Sequence, residues 1–132
     1  MAMKTILISG NFNILHTGHI RLLKFAKGLG DKLIVAVHSD ELGGESVHVP
    51  EQLRLEGVVS NKWVSEAFLI NQPIEKIIKK IKPDIVVKGK EHEFLENKEF
   101  NELKKYGGKL IFSSGDVSFS SVNLLKKESL VS

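Results

Sequence analysis

Short runs of β-branched and other apolar residues alternate with segments of helical periodicity along the chain. Five of these runs predict buried strands: Lys4–Ser9, Lys32–His38, Val64–Ile70, Asp84–Lys88 and Lys109–Phe112. The lengths of the runs and the turn residues that bound them are typical of strands rather than of helices. Because apolar residues fill most of each run, these strands are expected to be covered on both faces.

Helical spacing of apolar residues, together with proline starts and glycine stops, predicts helices between the strands. The predicted helices are Gly18–Ala26, Pro50 to about Asn61, Pro73 to just before Pro83, Asn97–Tyr106 and Ser120–Lys127. The polar stretch Ser39–Val49 contains two adjacent glycines and is predicted to be a loop.

Strand–helix alternation of this kind is typical of the α/β class. We expect a Rossmann-like, doubly wound sheet of five parallel strands with helices on both faces. In such sheets ligands bind beyond the carboxyl ends of the strands. The segments expected at that edge are Gly10–His19, His38–Pro50, Lys88–His92 and Ser113–Ser121.

The composition limits the classes of protein that the chain can represent. Its 132 residues suit a single domain, residues 1–132, and the absence of cysteine excludes disulfide scaffolds, Cys-ligated metals and thiol nucleophiles. No run approaches a membrane span, and the amino terminus lacks a secretory pattern, so we expect a cytoplasmic protein. The net charge of +3 permits phosphate-bearing partners without indicating nucleic acid.

The junction between the first strand and the first helix carries the clearest chemical signal. Gly10 allows a tight turn after the strand, and Gly18 removes a Cβ from the start of the helix. A helix start presents free backbone N–H groups and a partial positive charge, which together bind phosphate. His16 and His19 flank Gly18 and can donate hydrogen bonds to phosphate oxygens.

This junction resembles the signature of the H-x-G-H nucleotidyltransferase superfamily, G-x-F-D-x-x-H-x-G-H. The matching positions are Gly10, Phe12, His16, Gly18 and His19, placed after a first strand as in that superfamily.

The resemblance extends over nearly the whole chain. Further matching segments are Val35–Glu41, Arg54, Trp63–Glu66, Pro83–Gly89 and Phe119–Ser121. They are similar to segments of cytidylyltransferases, in particular glycerol-3-phosphate cytidylyltransferases, and of the heptose 1-phosphate adenylyltransferase domain of ADP-heptose synthases. A single cytidylyltransferase-like domain is therefore expected.

The resemblance implies direct in-line transfer of CMP or AMP from CTP or ATP. The acceptor would be a small phosphorylated molecule (sugar phosphate, polyol phosphate or phosphonate), and pyrophosphate would leave. Mg²⁺ would be bound mainly through the triphosphate, with no metal ligands among the protein side chains. The expected partners are these two substrates, with neither nucleic acid nor membrane, and a second copy of the chain. Trp63 and Phe68 are candidate exposed residues for that homodimer interface.

The family pattern also assigns roles to individual residues. The expected catalytic residues are His16, His19 and Lys88. The expected nucleotide- and phosphate-binding residues are Gly10, Asn11, Phe12, Asn13, Gly18, Arg54, Gly89, Lys90, Ser120 and Ser121. The two histidines would contact the α- and β-phosphate oxygens in the transition state, and the two serines would contact the β- and γ-phosphates.

Two departures from the family pattern leave an alternative open. Asn13 stands where the family has Asp, and Leu42–Pro50 contains none of the lysines common in relatives. The alternative is a nucleotide-binding or regulatory module of the same fold with weakened catalysis. The choice between CTP and ATP, the acceptor, and whether the chain is a domain of a longer bifunctional protein also remain open.

Overall fold

The structure is a computed structural model that describes residues 3–13, 17–89, 97–113 and 117–118. Its strands are β1 (Thr5–Gly10), β2 (Lys32–His38), β3 (Glu66–Ile70), β4 (Ile85–Lys88), β5 (Lys109–Phe112) and β6 (Val117–Ser118). Its helices are α1 (Thr17–Lys27), α2 (Asp40–Gly43), α3 (Glu51–Val59), α4 (Ile74–Ile81) and α5 (Lys98–Lys104). None of the helices in these ranges is long and apolar enough to span a bilayer.

All six strands form one sheet in the order β3-β2-β1-β4-β5-β6. The first five in this order are parallel, which confirms the expected five-stranded parallel sheet. β6 pairs antiparallel with β5 and was not expected, because two residues are too few to show an alternating pattern. The helix predicted at Ser120–Lys127 lies outside the described residues.

Helices cover both faces of the sheet, as the sequence predicted. On one face α1 and α3 pack on alternate strand residues; the buried cluster there includes Ile6, Ile8, Leu23, Ala26, Leu33, Val35 and Val58. On the other face α4 and α5 pack on the remaining strand residues; that cluster includes Leu7, Ile34, Ala36, Ile77, Ile78, Val86 and Leu103. Because neighbouring strand residues point to opposite faces, continuous apolar runs fill both clusters.

The segment after β2 is more ordered than the loop predicted for Ser39–Val49. It forms the short helix α2 and then a 3-10 turn at Gly44–Ser46. The Ser39 hydroxyl begins α2 by accepting a hydrogen bond from the Leu42 N–H at 3.0 Å. A four-residue helix is too short to produce a periodic sequence signal, so the pattern indicated only a polar loop.

Side-chain hydrogen bonds stabilise the amino ends of the strands at the opposite edge of the sheet. The Asp84 carboxylate accepts a hydrogen bond from the Thr5 N–H at 2.7 Å. The Tyr106 hydroxyl donates to the carbonyl of Pro83 at 2.7 Å. Burial, followed by the nearby charges of Asp84 and Glu102, raises the pKa of Tyr106 to about 12.

Candidate functional site

The expected site lies where β1 leads into α1, at the carboxyl edge of the sheet. Gly10 ends β1, and α1 begins at Thr17. In the first turn of α1, Gly18 is exposed and His19 is half-buried, and this turn contains no acidic residue. Backbone N–H groups at the start of a helix therefore face the edge where ligands bind in this class of sheet, without a local negative charge to oppose an anion.

Phe12 connects the end of β1 to the first turn of α1. Its backbone has a positive φ of 52°, which is uncommon for a bulky residue and marks a constrained turn. Its ring is buried and contacts the ring of His19, with centroids 5.6 Å apart. A Cβ at position 10 would lie 3.2 Å from the Phe12 ring, so Gly10 gives the ring its place. Gly10, Phe12 and His19 thus form one packed unit.

Asn11 binds the end of the neighbouring strand through its side chain. Its Oδ1 lies 2.8 Å from Nδ1 of His38, the last residue of β2. Because Oδ1 is an acceptor, Nδ1 of the histidine carries the proton and donates. Burial, and then the positive charge of Arg54, lowers the pKa of His38, which favours the neutral ring.

The side chain of Asn13 holds the 3-10 turn against the β1–α1 junction. Its Nδ2 donates to the carbonyl of Ser46 at 2.8 Å, and its Oδ1 accepts from the N–H of His48 at 2.8 Å. An aspartate could make the second hydrogen bond but would place a carboxylate against the Ser46 carbonyl. The departure from the family pattern therefore has a structural reason in this chain.

Arg54 is buried beneath the site and bonded to the surrounding chain. The residue is 2% exposed, and its guanidinium donates to three backbone carbonyls and one carboxylate. The acceptors are Val49 O, Asn11 O, His38 O and Asp40 Oδ1. These acceptors take four of the five N–H groups of the guanidinium, whereas the family pattern predicted that Arg54 binds phosphate.

Lys88 ends β4, the strand on the other side of β1. Its Nζ lies 2.6 Å from the carboxylate of Glu99 and donates to Asn97 Oδ1 at 2.7 Å. Glu99 is 7% exposed and comes from the first turn of α5. The expected catalytic lysine is therefore at the predicted edge of the sheet and is oriented by two residues of the following segment.

The structure brings many of the expected residues to one edge of the sheet. Those placed at the ends of β1 and β4 or in the start of α1 are Gly10, Asn11, Phe12, Asn13, Gly18, His19, Lys88 and Gly89. His16, Lys90, Ser120 and Ser121 lie outside the described residues. Within the described ranges, no group of three or more His, Cys, Asp or Glu residues is placed to hold a metal ion.

Sequence reasoning assigned no individual role to several residues that support this edge. They are His38, Asp40, Ser46, Asn97 and Glu99. The burial of Arg54 could have been predicted from helical spacing. Arg54 and Val58 are four residues apart on α3, so they lie on the same helix face, and both are buried. The other contacts join residues far apart in sequence, and no local pattern marks them.

A shallow cleft of about 300 Å³ lies beside this edge, beyond the carboxyl ends of β2 and β3. It is lined by Ser39, Glu41, Glu51, Leu69, Ile70 and Asn71. The Ser39 hydroxyl donates to Asn71 Oδ1 at 2.6 Å across the cleft. Carboxylate and amide groups beside two apolar side chains give it a mixed lining.

The expected interface residues are less exposed than predicted. Trp63 and Phe68 are both half-buried and pack against the two core clusters. The ammonium groups of Lys24 and Lys62 lie 5.7 Å and 4.7 Å from the centre of the Trp63 rings. The prediction that these two apolar side chains are exposed is therefore wrong, because packing on the sheet covers much of each.

Comparison with known proteins identifies this arrangement. Residues 7–113 match the family model described as cytidylyltransferase-like. An FAD synthase of Ferroglobus placidus is 39% identical over 80% of this chain and 71% of its own length. The bifunctional protein HldE of Salmonella arizonae is 36% identical over 94% of this chain, but this chain spans only 27% of HldE.

A solved structure supports the same assignment. The crystal structure of the lipopolysaccharide core biosynthesis protein from Thermoplasma volcanium GSS1 matches with a TM-score of 0.74 and 31% identity, over 90% of this chain and 99% of that one. The family match, these relatives and the β1–α1 geometry agree. The chain belongs to the cytidylyltransferase-like family and is a nucleotidyltransferase.

Proposed function

We propose that this chain transfers AMP from ATP to a small phosphorylated acceptor and releases pyrophosphate. The observation that carries the proposal is the junction of β1 and α1, where Phe12, Gly18 and His19 combine a tight turn, an exposed helix start and an imidazole. Such a junction binds phosphate through backbone N–H groups. A phosphate dianion is already a nucleophile near neutral pH, so positioning and charge stabilisation suffice for its attack on the α-phosphorus.

The relatives support adenylyl transfer over cytidylyl transfer. FAD, the product named for one of them, is flavin mononucleotide joined to AMP through a phosphoanhydride. The same bond type results when any phosphate monoester attacks the α-phosphorus of ATP. CTP remains the competing donor and is an arm of the test below.

The acceptor would approach from the cleft beyond β2 and β3. Its polar lining includes Glu41, Glu51 and Asn71, whose side chains suit hydroxyl groups better than they suit phosphate. A sugar phosphate or polyol phosphate presents hydroxyls to such a lining and extends its phosphate towards α1. Mg²⁺ would accompany the triphosphate, bound mainly through phosphate oxygens and water. Two copies of the chain would form the working unit.

The test is pyrophosphate release by the purified protein with Mg²⁺. ATP and CTP are each supplied with a panel of sugar phosphates, polyol phosphates and flavin mononucleotide, and thermal shift measures nucleotide binding in parallel. We expect turnover with ATP and at least one acceptor. Turnover with CTP alone would overturn the donor assignment, and binding without turnover across the panel would favour the weakened nucleotide-binding module.

Variants at the two histidines connect turnover to the site. His19→Ala and His16→Ala are each expected to lower kcat by on the order of a hundredfold, as for loss of a transition-state donor. The matched control is Lys24→Ala, which truncates an exposed side chain on the same helix α1. Near-normal kcat in a folded His19→Ala protein would contradict the assignment of that residue.

A further inference from the structure

We propose that Arg54 is a positioning residue that fixes the backbone of the β1–α1 turn for nucleotidyl transfer. It does so through the four hydrogen bonds that its planar guanidinium donates, the Arg54 fork. The expected effect of Arg54 on kcat rests on the proposed function. The expected effect of Arg54 on the backbone of the turn is independent of that function. In this role Arg54 contacts no phosphate and acts through the backbone that it holds.

The position of the fork in the sheet carries the proposal. The parallel ladder between β1 and β2 ends at the pair Gly10↔Val37. The next residues in this register are Asn11 and His38, and Arg54 Nη1 donates to both of their carbonyls at 2.7 Å. The guanidinium thus bridges the two strands one step beyond their last paired residues.

This bridge lies immediately before the constrained turn at Phe12. Once the strands separate, the Asn11 carbonyl has lost its neighbour in the ladder, and a buried carbonyl without a donor is costly. By satisfying that carbonyl, Arg54 fixes the peptide that leads into the positive φ of Phe12. Phe12 in turn packs against His19, so the orientation of Asn11 determines where the imidazole lies.

The remaining donors tie the fork to the segment that follows β2. Nε donates to the Val49 carbonyl at 2.7 Å, and Nη2 donates to the Asp40 carboxylate at 2.8 Å. One planar group therefore joins the β1 turn, the end of β2, α2 and the start of α3. A lysine ammonium supplies the same charge but cannot reach acceptors spread around a guanidinium plane.

The variant Arg54→Lys keeps the positive charge but removes the planar set of hydrogen-bond donors. We expect kcat to fall about tenfold or more, because small misplacements of reacting groups are costly, with the KM for ATP changed less than threefold. The backbone amide resonances of Asn11, Phe12 and Asn13 should shift in the same variant. Arg21→Lys is the matched control, since Arg21 is the other arginine of the chain and is exposed.

The pKa of His38 reports on the charge separately. Arg54 is the second cause of the lowering of this pKa, after burial. An NMR titration should find the pKa of His38 still lowered in Arg54→Lys and closer to its ordinary value in Arg54→Met. If kcat follows the charge, so that Arg54→Lys behaves as the parent protein and Arg54→Met does not, the positioning role is overturned.

Asp40→Ala, which removes the acceptor of Arg54 Nη2, keeps the proposal testable if the Arg54 variants fail to fold. The Asp40 side chain is 51% exposed, so its replacement removes one charged acceptor without opening the core. We expect a loss of kcat of about threefold and a shift of the Asn11 amide resonance. No change in either quantity would overturn the proposal. A parent protein that shows no turnover would refute the proposed function alone, because the amide resonances still decide the structural part.

Discussion

Individual polar side chains at the site form hydrogen bonds with the backbone. Asn13 needs both a donor and an acceptor to do so. The amide group of Asn13 offers a donor to Ser46 and an acceptor to His48. Replacing one NH₂ by a carboxylate oxygen reverses the first contact while it preserves the second. The aspartate of the family pattern supplies a negative charge at this position, whereas Asn13 uses both the NH₂ donor and the oxygen acceptor of its amide.

Asn13→Asp is expected to release the 3-10 turn from the β1–α1 junction. Loss of one hydrogen bond and repulsion from the Ser46 carbonyl should lower the free energy of unfolding by about 1 kcal/mol. Hydrogen exchange should become faster at the Val47 amide, which donates to the Gly44 carbonyl within the 3-10 turn. Urea unfolding and exchange by mass spectrometry measure both effects.

The matched control for this change is Asn61→Asp. Asn61 Oδ1 accepts from the Trp63 N–H at 2.9 Å, a contact that an aspartate can also make. Little change in stability is expected there. An Asn13→Asp protein as stable as Asn61→Asp, with unchanged exchange at Val47, would show that the amide donor has no role.

How much of the site the sequence could predict depends on the range of each contact. Gly10 and His19 were identified from the local strand–turn–helix pattern, and Phe12 from the resemblance to the family signature. The role of Arg54 could not be predicted in the same way, since its acceptors lie up to 43 residues away. A charged residue on a helix normally indicates an exposed position, and only its spacing from Val58 suggested burial.

At the scale of elements, α5 is joined to β4 by an ion pair between a partly buried lysine and a buried glutamate. The Lys88 side chain is 22% exposed and that of Glu99 is 9% exposed. Removing one partner of such a pair leaves the other charge poorly solvated, which costs more than the pair itself contributes.

Lys88→Met should therefore destabilise the protein by about 2 kcal/mol. The comparison is Lys32→Met, which breaks the more exposed pair of Lys32 and Glu66 at 2.9 Å and should cost less than about 0.5 kcal/mol. Urea unfolding measures both variants, and adding Glu99→Gln to Lys88→Met should recover part of the loss. Equal costs for the two lysines would show that the Lys88–Glu99 contact is no stronger than a surface pair.

Elements with strong local patterns were predicted well, and short elements that depend on distant partners were not. β5 has the bounds expected from the sequence, and β4 begins one residue later than expected. The helix α2 depends on the Ser39 cap and on the Asp40 contact with Arg54, and β6 depends on pairing with β5. Hydrophobic periodicity reports burial of a face, so it does not detect elements of two to four residues held by such contacts.

At the scale of the whole molecule, the two edges of the parallel sheet have different roles. The carboxyl edge holds the candidate site, and contacts at the amino edge contribute to stability. All five parallel strands end at the edge that holds the β1–α1 junction, and all begin at the edge fastened by Asp84 and Tyr106. Changes at the amino edge should therefore alter the free energy of unfolding without moving the groups that face the substrates.

Asp84→Ala tests this separation. The carboxylate accepts hydrogen bonds from both the N–H and the hydroxyl of Thr5, so its loss should lower the free energy of unfolding by about 1 kcal/mol. The charge of Asp84 also helps to raise the pKa of Tyr106, so the variant should lower that pKa from about 12. Tyr106 is the only tyrosine in the chain, and phenolate absorbance reports its titration directly.

The pH dependence of the same variant has a definite sign. The pKa of Tyr106 is raised on folding from 10.0, so its contribution to stability is full below pH 10 and is lost as pH rises towards 12. In Asp84→Ala this loss should be smaller, while kcat and KM at neutral pH stay at the parent values. A change in kcat without any change in stability would contradict the separation of the two edges.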